Sequence, residues 1–227
     1  MDVEQRASFH AALGDPVRLT IVDLLFLDDL APGDLSGKLG LPSNLLAHHL
    51  RVLESADIIE RRRSEGDGRR SYVRLRIEHP MLPAVNLATR PGQHLQPGRR
   101  VAFVCTHNSA RSQLAASAWR AVTDVPVESA GTHPAARVHP GAVRVARRHG
   151  LMLAGKGTRH YDDVVRSDDL VVAVCDQVHE ELPAGPRLHW SVPDPVRRGS
   201  PADFEAAFQD IVGRVAQLAD AINPTST

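Results

Sequence analysis

Val101-Ala102-Phe103-Val104-Cys105-Thr106-His107-Asn108-Ser109-Ala110-Arg111-Ser112 decides how this chain folds. Its first four residues form an unbroken apolar run, the pattern of a strand buried on both faces of a parallel sheet. The next segment is polar and small-residued, and the stretch from Ser112 to Val122 carries a helical pattern. Strand, loop and helix in that order let the loop amides between Cys105 and Arg111 converge on one tetrahedral anion. Thr106, His107, Asn108, Ser109, Ala110 and Arg111 are therefore the candidate oxyanion-binding residues. Arg111 adds a planar fork of donors for the equatorial oxygens. The amides, the helix dipole and the guanidinium also favour a thiolate at Cys105, the form an attacking sulfur needs at neutral pH. Ser112 is placed to donate its hydroxyl to that sulfur. A cysteine six positions before an arginine is, without context, more often a buried structural residue. The flanking strand and helix make it a site.

Downstream, candidate strands at Val125 to Ser129 and Leu170 to Val174 alternate with helical stretches at Ser112 to Val122, Gly141 to Gly150 and Ala202 to Ile222. Such alternation implies an open α/β parallel sheet, which binds ligands at the carboxyl ends of its strands. Cys105 sits at such an end.

Upstream the pattern is different. Phe9 and Leu13 lie four apart before Gly14, and Asp15-Pro16 offers a cap with proline at the first helical position. A second helix is expected from there to about Leu27, with Val17, Ile21, Leu24 and Leu25 inward. Pro32 to Leu39 reads as a third helix, closed by Gly40-Leu41-Pro42. Ser43 is expected to cap a fourth, with Leu46, Leu50 and Leu53 inward. Extended stretches Ile58 to Ser64 and Arg70 to Ile77 flank Glu65-Gly66-Asp67-Gly68, a hairpin signal. Helices followed by a basic hairpin describe a winged helix. The predicted fold is thus two domains: a mainly-α winged helix-turn-helix over 1–78, a linker over 79–99 with a short helix near Leu82 to Leu87, and an α/β open parallel sheet over 100–227.

With 42% hydrophobic and 24% charged residues, the 227-residue composition excludes a disordered or disulfide-stapled chain. No apolar run approaches the ~20 residues that cross a bilayer, and the first residues lack signal-peptide character, so a cytoplasmic protein without membrane contact is expected. Its two cysteines are then thiols in a reducing compartment. Formal net charge is zero, yet Arg61, Arg62, Arg63, Arg69, Arg70, Arg74 and Arg76 face only Glu65 and Asp67 within their own stretch. That local excess suits DNA phosphates.

From about Arg99 to Ala221 the sequence resembles the low-molecular-weight tyrosine phosphatase superfamily, through Val101 to Trp119, Ser129-Ala130-Gly131-Thr132, Ser167-Asp168-Asp169-Leu170-Val171-Val172 and Asp194-Pro195. Asn108-Ser109-x-Arg111-Ser112-Gln113 and His189-Trp190 look more like its thioredoxin-type or mycothiol-type arsenate reductases. Tyrosine phosphatases usually place aromatic residues after the Asp-Pro pair; here Val196 and Arg197 follow. With aromatics at 4% of the chain, a slot for a phosphotyrosine ring is hard to build. The resemblance implies that Cys105 attacks bound arsenate while Asp194 protonates the departing oxygen, after which a thiol attacks the adduct and releases arsenite. Read by itself, Asp194 before a proline is equally a helix cap. Cys175 matches the second redox cysteine of thioredoxin-coupled reductases, but Leu182 occupies the third cysteine's place. Three outcomes stay open: an external thiol such as mycothiol, glutathione or a thioredoxin-type protein, a Cys105–Cys175 disulfide resolved by another protein, or an inert Cys175.

Leu13 to Leu75 resembles the ArsR-type winged-helix regulators, through Leu13-Gly14-Asp15-Pro16-x-Arg18-Leu19, His48-His49-Leu50-x-Val52-Leu53 and the arginine-rich hairpin. That likeness puts Ser43, Asn44, His48 and Arg51 of the fourth helix at the major groove and Arg69 and Arg70 on the backbone of an operator duplex, bound as a homodimer. Arsenic-sensing members carry a cysteine pair where this chain has Leu30-Ala31-Pro32-Gly33-Asp34, which excludes thiolate ligation of arsenite there. Histidines 10, 48, 49, 79 and 94 form no metal set, and none is expected. The leading expectation is a fused regulator and arsenate reductase; the alternatives are a DNA-binding tyrosine phosphatase and a pure regulator whose second domain senses an oxyanion.

Overall fold

The computed structural model describes residues 1–82, 100–153, 155 and 157–222, which fall into two compact units. The first holds α1 (Val3–Leu13), α2 (Pro16–Leu25), α3 (Pro32–Leu39), α4 (Ser43–Ser55), β1 (Ile59–Arg63) and β2 (Ser71–Leu75). Asp2 and Gln5 form a reciprocal capping box that starts α1. The Asp15 carboxylate accepts from the Arg18 amide at 3.0 Å and starts α2 as expected. Ser43 does not cap α4: the capping position falls on Pro42, no side chain caps the helix, and Ser43 is already its first helical residue. Leu46, Leu50 and Leu53 point inward and pack with Phe9, Ile21, Leu25 and Leu35. Val17 and Leu24 are only partly covered, while Val22, outside the expected face, is buried. β1 and β2 pair antiparallel from Ile59↔Leu75 to Arg63↔Ser71, and Leu30 adds a bridge to Val73.

The first unit runs past the expected boundary at 78. His79 stacks on Phe9 with ring centroids 4.7 Å apart, and Leu82 joins the core. Alternating polar residues and prolines hide these two contacts in the sequence. The remainder of the expected linker, with most of its short helix, lies outside the described residues.

The second unit holds β3 (Val101–Cys105), α5 (Arg111–Val122), β4 (Val127–Gly131), α6 (Pro140–Arg148), α7 (Tyr161–Val164), β5 (Leu170–Ala173), α8 (Asp176–Glu181), β6 (Leu188–His189), α9 (Pro195–Arg198) and α10 (Pro201–Ile222). The sheet is all parallel, in the order β4-β3-β5-β6. β3 is buried at every residue, which matches its unbroken apolar run. Register aligns Cys105 with Gly131 and Val104 with Ala173, so the ends of β3, β4 and β5 meet at one edge of the sheet. Phe103 packs against Trp119 and Trp190 at 5.9 and 5.5 Å, beneath α5 and α10. At the opposite strand end, Arg100 holds Asp169 through two hydrogen bonds of 2.8 and 2.6 Å. The second strand begins two residues later than expected, α7, α8 and β6 have no counterpart in the sequence reading, and α9 was signalled only by the cap reading of Asp194. Elements of two to six residues are too short to show a period. No described helix is long and apolar enough to cross a membrane.

Candidate active site

Cys105 ends β3 and Arg111 opens α5, and the five residues between them form a tight loop. The loop is pinned from outside: the carbonyls of Thr106, His107 and Ser109 accept from the amides of His133, Ala135 and His139 at 2.8, 3.0 and 2.8 Å. Every described peptide bond is trans, so each following N–H points the opposite way. The amides of His107, Asn108 and Ala110 are thereby turned to the loop's other side. α5 begins without a side-chain cap, which leaves first-turn amides and the positive end of its dipole for an anion.

Asn108 supplies the sharp bend. Its φ is +48°, a left-handed conformation that asparagine tolerates better than most residues. Its Oδ1 accepts from Gln113 Nε2 at 3.1 Å and the Arg159 amide at 2.9 Å, which fixes the amide orientation. Its Nδ2 then donates to Ser112 Oγ at 2.8 Å. With that lone pair engaged, the Ser112 proton is free to point at Cys105 Sγ, 3.1 Å away. Ser112 Oγ is thus within hydrogen-bond reach of the sulfur. Gly131 lets the loop close: a Cβ there would lie 2.7 Å from the Thr106 carbonyl oxygen and 2.8 Å from the Asn108 nitrogen, both backbone atoms.

The Arg111 guanidinium is buried, donating from Nη1 to the Val192 carbonyl at 2.9 Å and meeting Asp194 Oδ2 from Nη2 at 3.0 Å. Burial works against its charge, but the acidic groups around it, Cys175, Cys105 and Asp194 among them, outweigh that and raise its pKa. Asp194 also caps α9, Oδ1 accepting from the Val196 amide at 3.0 Å. The two sequence readings of this residue, cap and site member, are satisfied by different oxygens of one carboxylate. Cys175 is buried two residues past β5, at the start of α8, its Sγ 3.5 Å from Thr106 Oγ1. Burial pushes its thiol pKa up, against the pull of Arg111.

Sequence reasoning brought Cys105, Arg111, Ser112, Cys175 and Asp194 to one place and missed three supports: the Asn108 side chain, Gly131 and the Val192 carbonyl. Only Gly131 left a signal, as a glycine ending a strand beside the loop.

In the first unit, Ser43, Asn44, His48 and Arg51 are exposed along α4, and Arg69 and Arg70 are exposed just before β2. His49 is buried, its Nδ1 3.7 Å from Asp15 Oδ1, so the two adjacent histidines have different surroundings. The arginine cluster is less free than its sequence implies. Arg61 pairs with Glu54, Arg62 and the buried Arg74 with Glu60, and Arg76 with Asp57. Those acids precede the cluster in the chain, where a count confined to 61–76 does not find them. Among the described residues no group of three or more His, Cys, Asp or Glu side chains is placed to hold a metal.

Residues 100–226 match the family model described as low molecular weight phosphotyrosine protein phosphatase, and residues 15–61 match that of the bacterial regulatory proteins of the arsR family. An arsenate reductase of Brevibacillus brevis is 30% identical over 135 residues, which cover 54% of this chain and 95% of that protein. A transcriptional repressor SmtB homolog of Synechocystis is 33% identical over 93 residues, covering 41% of this chain and 65% of that protein. The fold of the second unit also matches the crystal structure of YfkJ from Bacillus subtilis, 21% identical with a TM-score of 0.50, covering 59% of this chain and 99% of that one.

Proposed function

The chain belongs to the low molecular weight phosphotyrosine protein phosphatase family, and from that premise we propose that it joins a thiol-dependent arsenate reductase to an ArsR-type DNA-binding regulator. The observation that carries the chemistry is Cys105 Sγ lying 3.1 Å from Ser112 Oγ, in the loop that Arg111 closes. Arsenate binds to the loop amides and Arg111, and the Cys105 thiolate attacks arsenic. The S–As bond forms, one As–O bond breaks, and Asp194 protonates the departing oxygen. The oxyanion competes with Asp194 for the same guanidinium, so filling the loop frees the carboxyl group for this transfer. An external thiolate then attacks the Cys105 sulfur. An S–S bond forms, the S–As pair of electrons passes to arsenic, and arsenite leaves. A second thiol reduces the mixed disulfide and restores Cys105.

Two features support an external thiol: Cys175 is buried with a raised pKa, and Leu182 stands where a relay would need a further cysteine. Mycothiol, glutathione and a thioredoxin-type protein are the candidate reductants. Such a cycle needs a reducing compartment, the cytoplasm. Val196 and Arg197 after Asp194-Pro195 leave a phosphotyrosine ring no aromatic walls there. The first unit binds duplex operator DNA as a homodimer, with Ser43, Asn44, His48 and Arg51 of α4 at the major groove and Arg69 and Arg70 on phosphates.

The test is arsenite release by the purified full chain given arsenate and each candidate thiol in turn. Wild type turns over with at least one thiol, and Cys105→Ser loses activity by well over ~10³-fold. Wild type inactive with every donor removes the reductase reading, and preferential turnover of phosphotyrosine replaces it with a phosphatase.

A further inference from the structure

The chemistry above makes no use of a buried pair next to it. His189, fully buried in β6, places Nε2 2.9 Å from Asp176 Oδ1, and Asp176 is itself 4% exposed. Burial alone would raise the Asp176 pKa, but hydrogen bonds from His189 and Ser191 help bring it below the ordinary carboxylate value. Asp176 is thus an acceptor, so the His189 Nε2 carries the proton and donates. The imidazole lies flat on His179 with ring centroids 4.1 Å apart, which fixes the ring plane as well.

The pair ties together two segments that end in the site. Asp176 follows Cys175 and opens α8. His189 is paired with Ala173 in register, and the next residue, Trp190, donates its amide to the Ala173 carbonyl at 2.8 Å. The chain then turns tightly, the Val192 amide donating to the Trp190 carbonyl at 2.8 Å. Directly after that turn come the Val192 carbonyl and the Asp194 carboxylate, the two acceptors that hold Arg111 Nη1 and Nη2. Three residues with a closed turn between them leave little slack, so the orientation of His189 is passed to both acceptors.

We propose that the buried Asp176–His189 pair is a positioning element of the oxyanion site: it fixes segment 189–194 so that Val192 and Asp194 aim the Arg111 guanidinium at the loop. Apolar residues of similar volume would fill the space as well and often at no loss of stability. What they do not supply is direction, and a displacement of about 1 Å at a guanidinium clamp costs up to ~10²-fold in function. Neither residue touches the oxyanion. The proposal rests on the loop being an oxyanion site and not on arsenate being reduced there.

Calorimetric binding of inorganic phosphate to the full chain tests it. In His189→Leu the phosphate Kd rises by about tenfold or more. In His189→Gln, whose amide nitrogen reaches Asp176 from nearly the Nε2 position, it stays close to wild type. A merely structural role would instead lower the thermal midpoint and the bound stoichiometry while leaving Kd unchanged; that result overturns the proposal, as does equal weakening in both variants. Should His189→Leu fail to fold, Asp176→Asn, which keeps the volume but turns an anionic acceptor into a neutral amide, must weaken phosphate binding on its own, and an unchanged Kd there is equally fatal. Wild type that binds no phosphate removes the oxyanion site and the proposal together. Wild type that binds phosphate yet releases no arsenite removes only the reductase reading, and the Kd comparison still decides the positioning role.

Discussion

The two units place their candidate functional groups in opposite ways. In the second, Cys105, Asn108, Arg111 and Ser112 are all buried; Cys105, Ser112 and Asn108 hold one another, and Asn108 and Arg111 also bond to Arg159 and Val192 outside the loop. In the first, Ser43, Asn44, His48, Arg51, Arg69 and Arg70 are exposed, and the buried groups nearby, His49 and Arg74, face Asp15 and Glu60 instead of solvent. A site that must stabilise charge on a small anion works by excluding water and fixing donors in advance. A surface that meets phosphates of a duplex works by long-range charge and needs no such enclosure. Substitutions are therefore expected to act steeply and locally in the second unit and gradually in the first.

The steepest break of that contrast after loss of the thiol itself is Arg111→Lys. A point charge replaces the planar fork and cannot satisfy both Val192 and Asp194 while facing the loop. Arsenate turnover should fall ~10²–10³-fold with little change in the thermal midpoint; a loss under tenfold would mean the fork is not used.

Gly131→Ala comes next. Its methyl group meets backbone at 2.7 and 2.8 Å, so strand and loop must part. Overpacking of this kind costs about 1–3 kcal/mol, read as a lower denaturation midpoint, with turnover reduced alongside. Full stability and activity in this variant would show that the loop is not closed against β4.

The side proposed to face DNA should respond by increments. Arg69→Ala and Arg70→Ala are each expected to weaken operator binding and to reduce the slope of log K against log salt by about 1. Arg62→Ala, at a side chain that is half-buried where Arg69 and Arg70 are exposed, should leave that slope nearly unchanged. Equal effects from all three would return the whole arginine cluster to the interface.

This contrast also explains what the sequence revealed. β3, the Cys105–Arg111 spacing and α5 were legible because burial demands an unbroken apolar run and the loop chemistry demands fixed positions. The four helices and hairpin of the first unit were legible through caps, prolines and period, within a residue or two at most ends. The supports were not. Val192 acts through a backbone carbonyl, which carries no residue signature, and Asn108 through a side chain that its place in the loop does not announce. The pairing of Arg61, Arg62, Arg74 and Arg76 depends on folding that brings Glu54, Asp57 and Glu60 alongside. His79 joined the core through one ring stack, without any periodic context.

The smallest expected effect is on acid stability. Burial lowers the His79 pKa from 6.5, so the unfolded chain takes up this proton more readily, and the first unit loses stability as pH falls through 6.5 toward the folded value. Asp169 in the second unit lies below 3.8: burial acts to raise it, and the Arg100 and Arg166 hydrogen bonds outweigh that. Its contribution is complete above 3.8 and is lost only as pH drops below. Helical circular dichroism should begin to fall before the fluorescence of Trp119 and Trp190, both buried in the second unit. His79→Phe, which keeps a ring on Phe9, should delay the first phase; coincident transitions in wild type would erase the distinction between the units.

Intact-protein and peptide mass spectrometry after incubation with arsenate and one small thiol tests the central claim most directly. The account predicts one thiol molecule in disulfide linkage on the Cys105 peptide, with Cys175 unmodified, and no adduct when arsenate is omitted. With the thiol held at one equivalent, so that no second thiol can reduce the adduct, arsenite release that leaves Cys105 free would contradict the thiol chemistry, and a Cys105–Cys175 linkage would contradict its dependence on an external thiol.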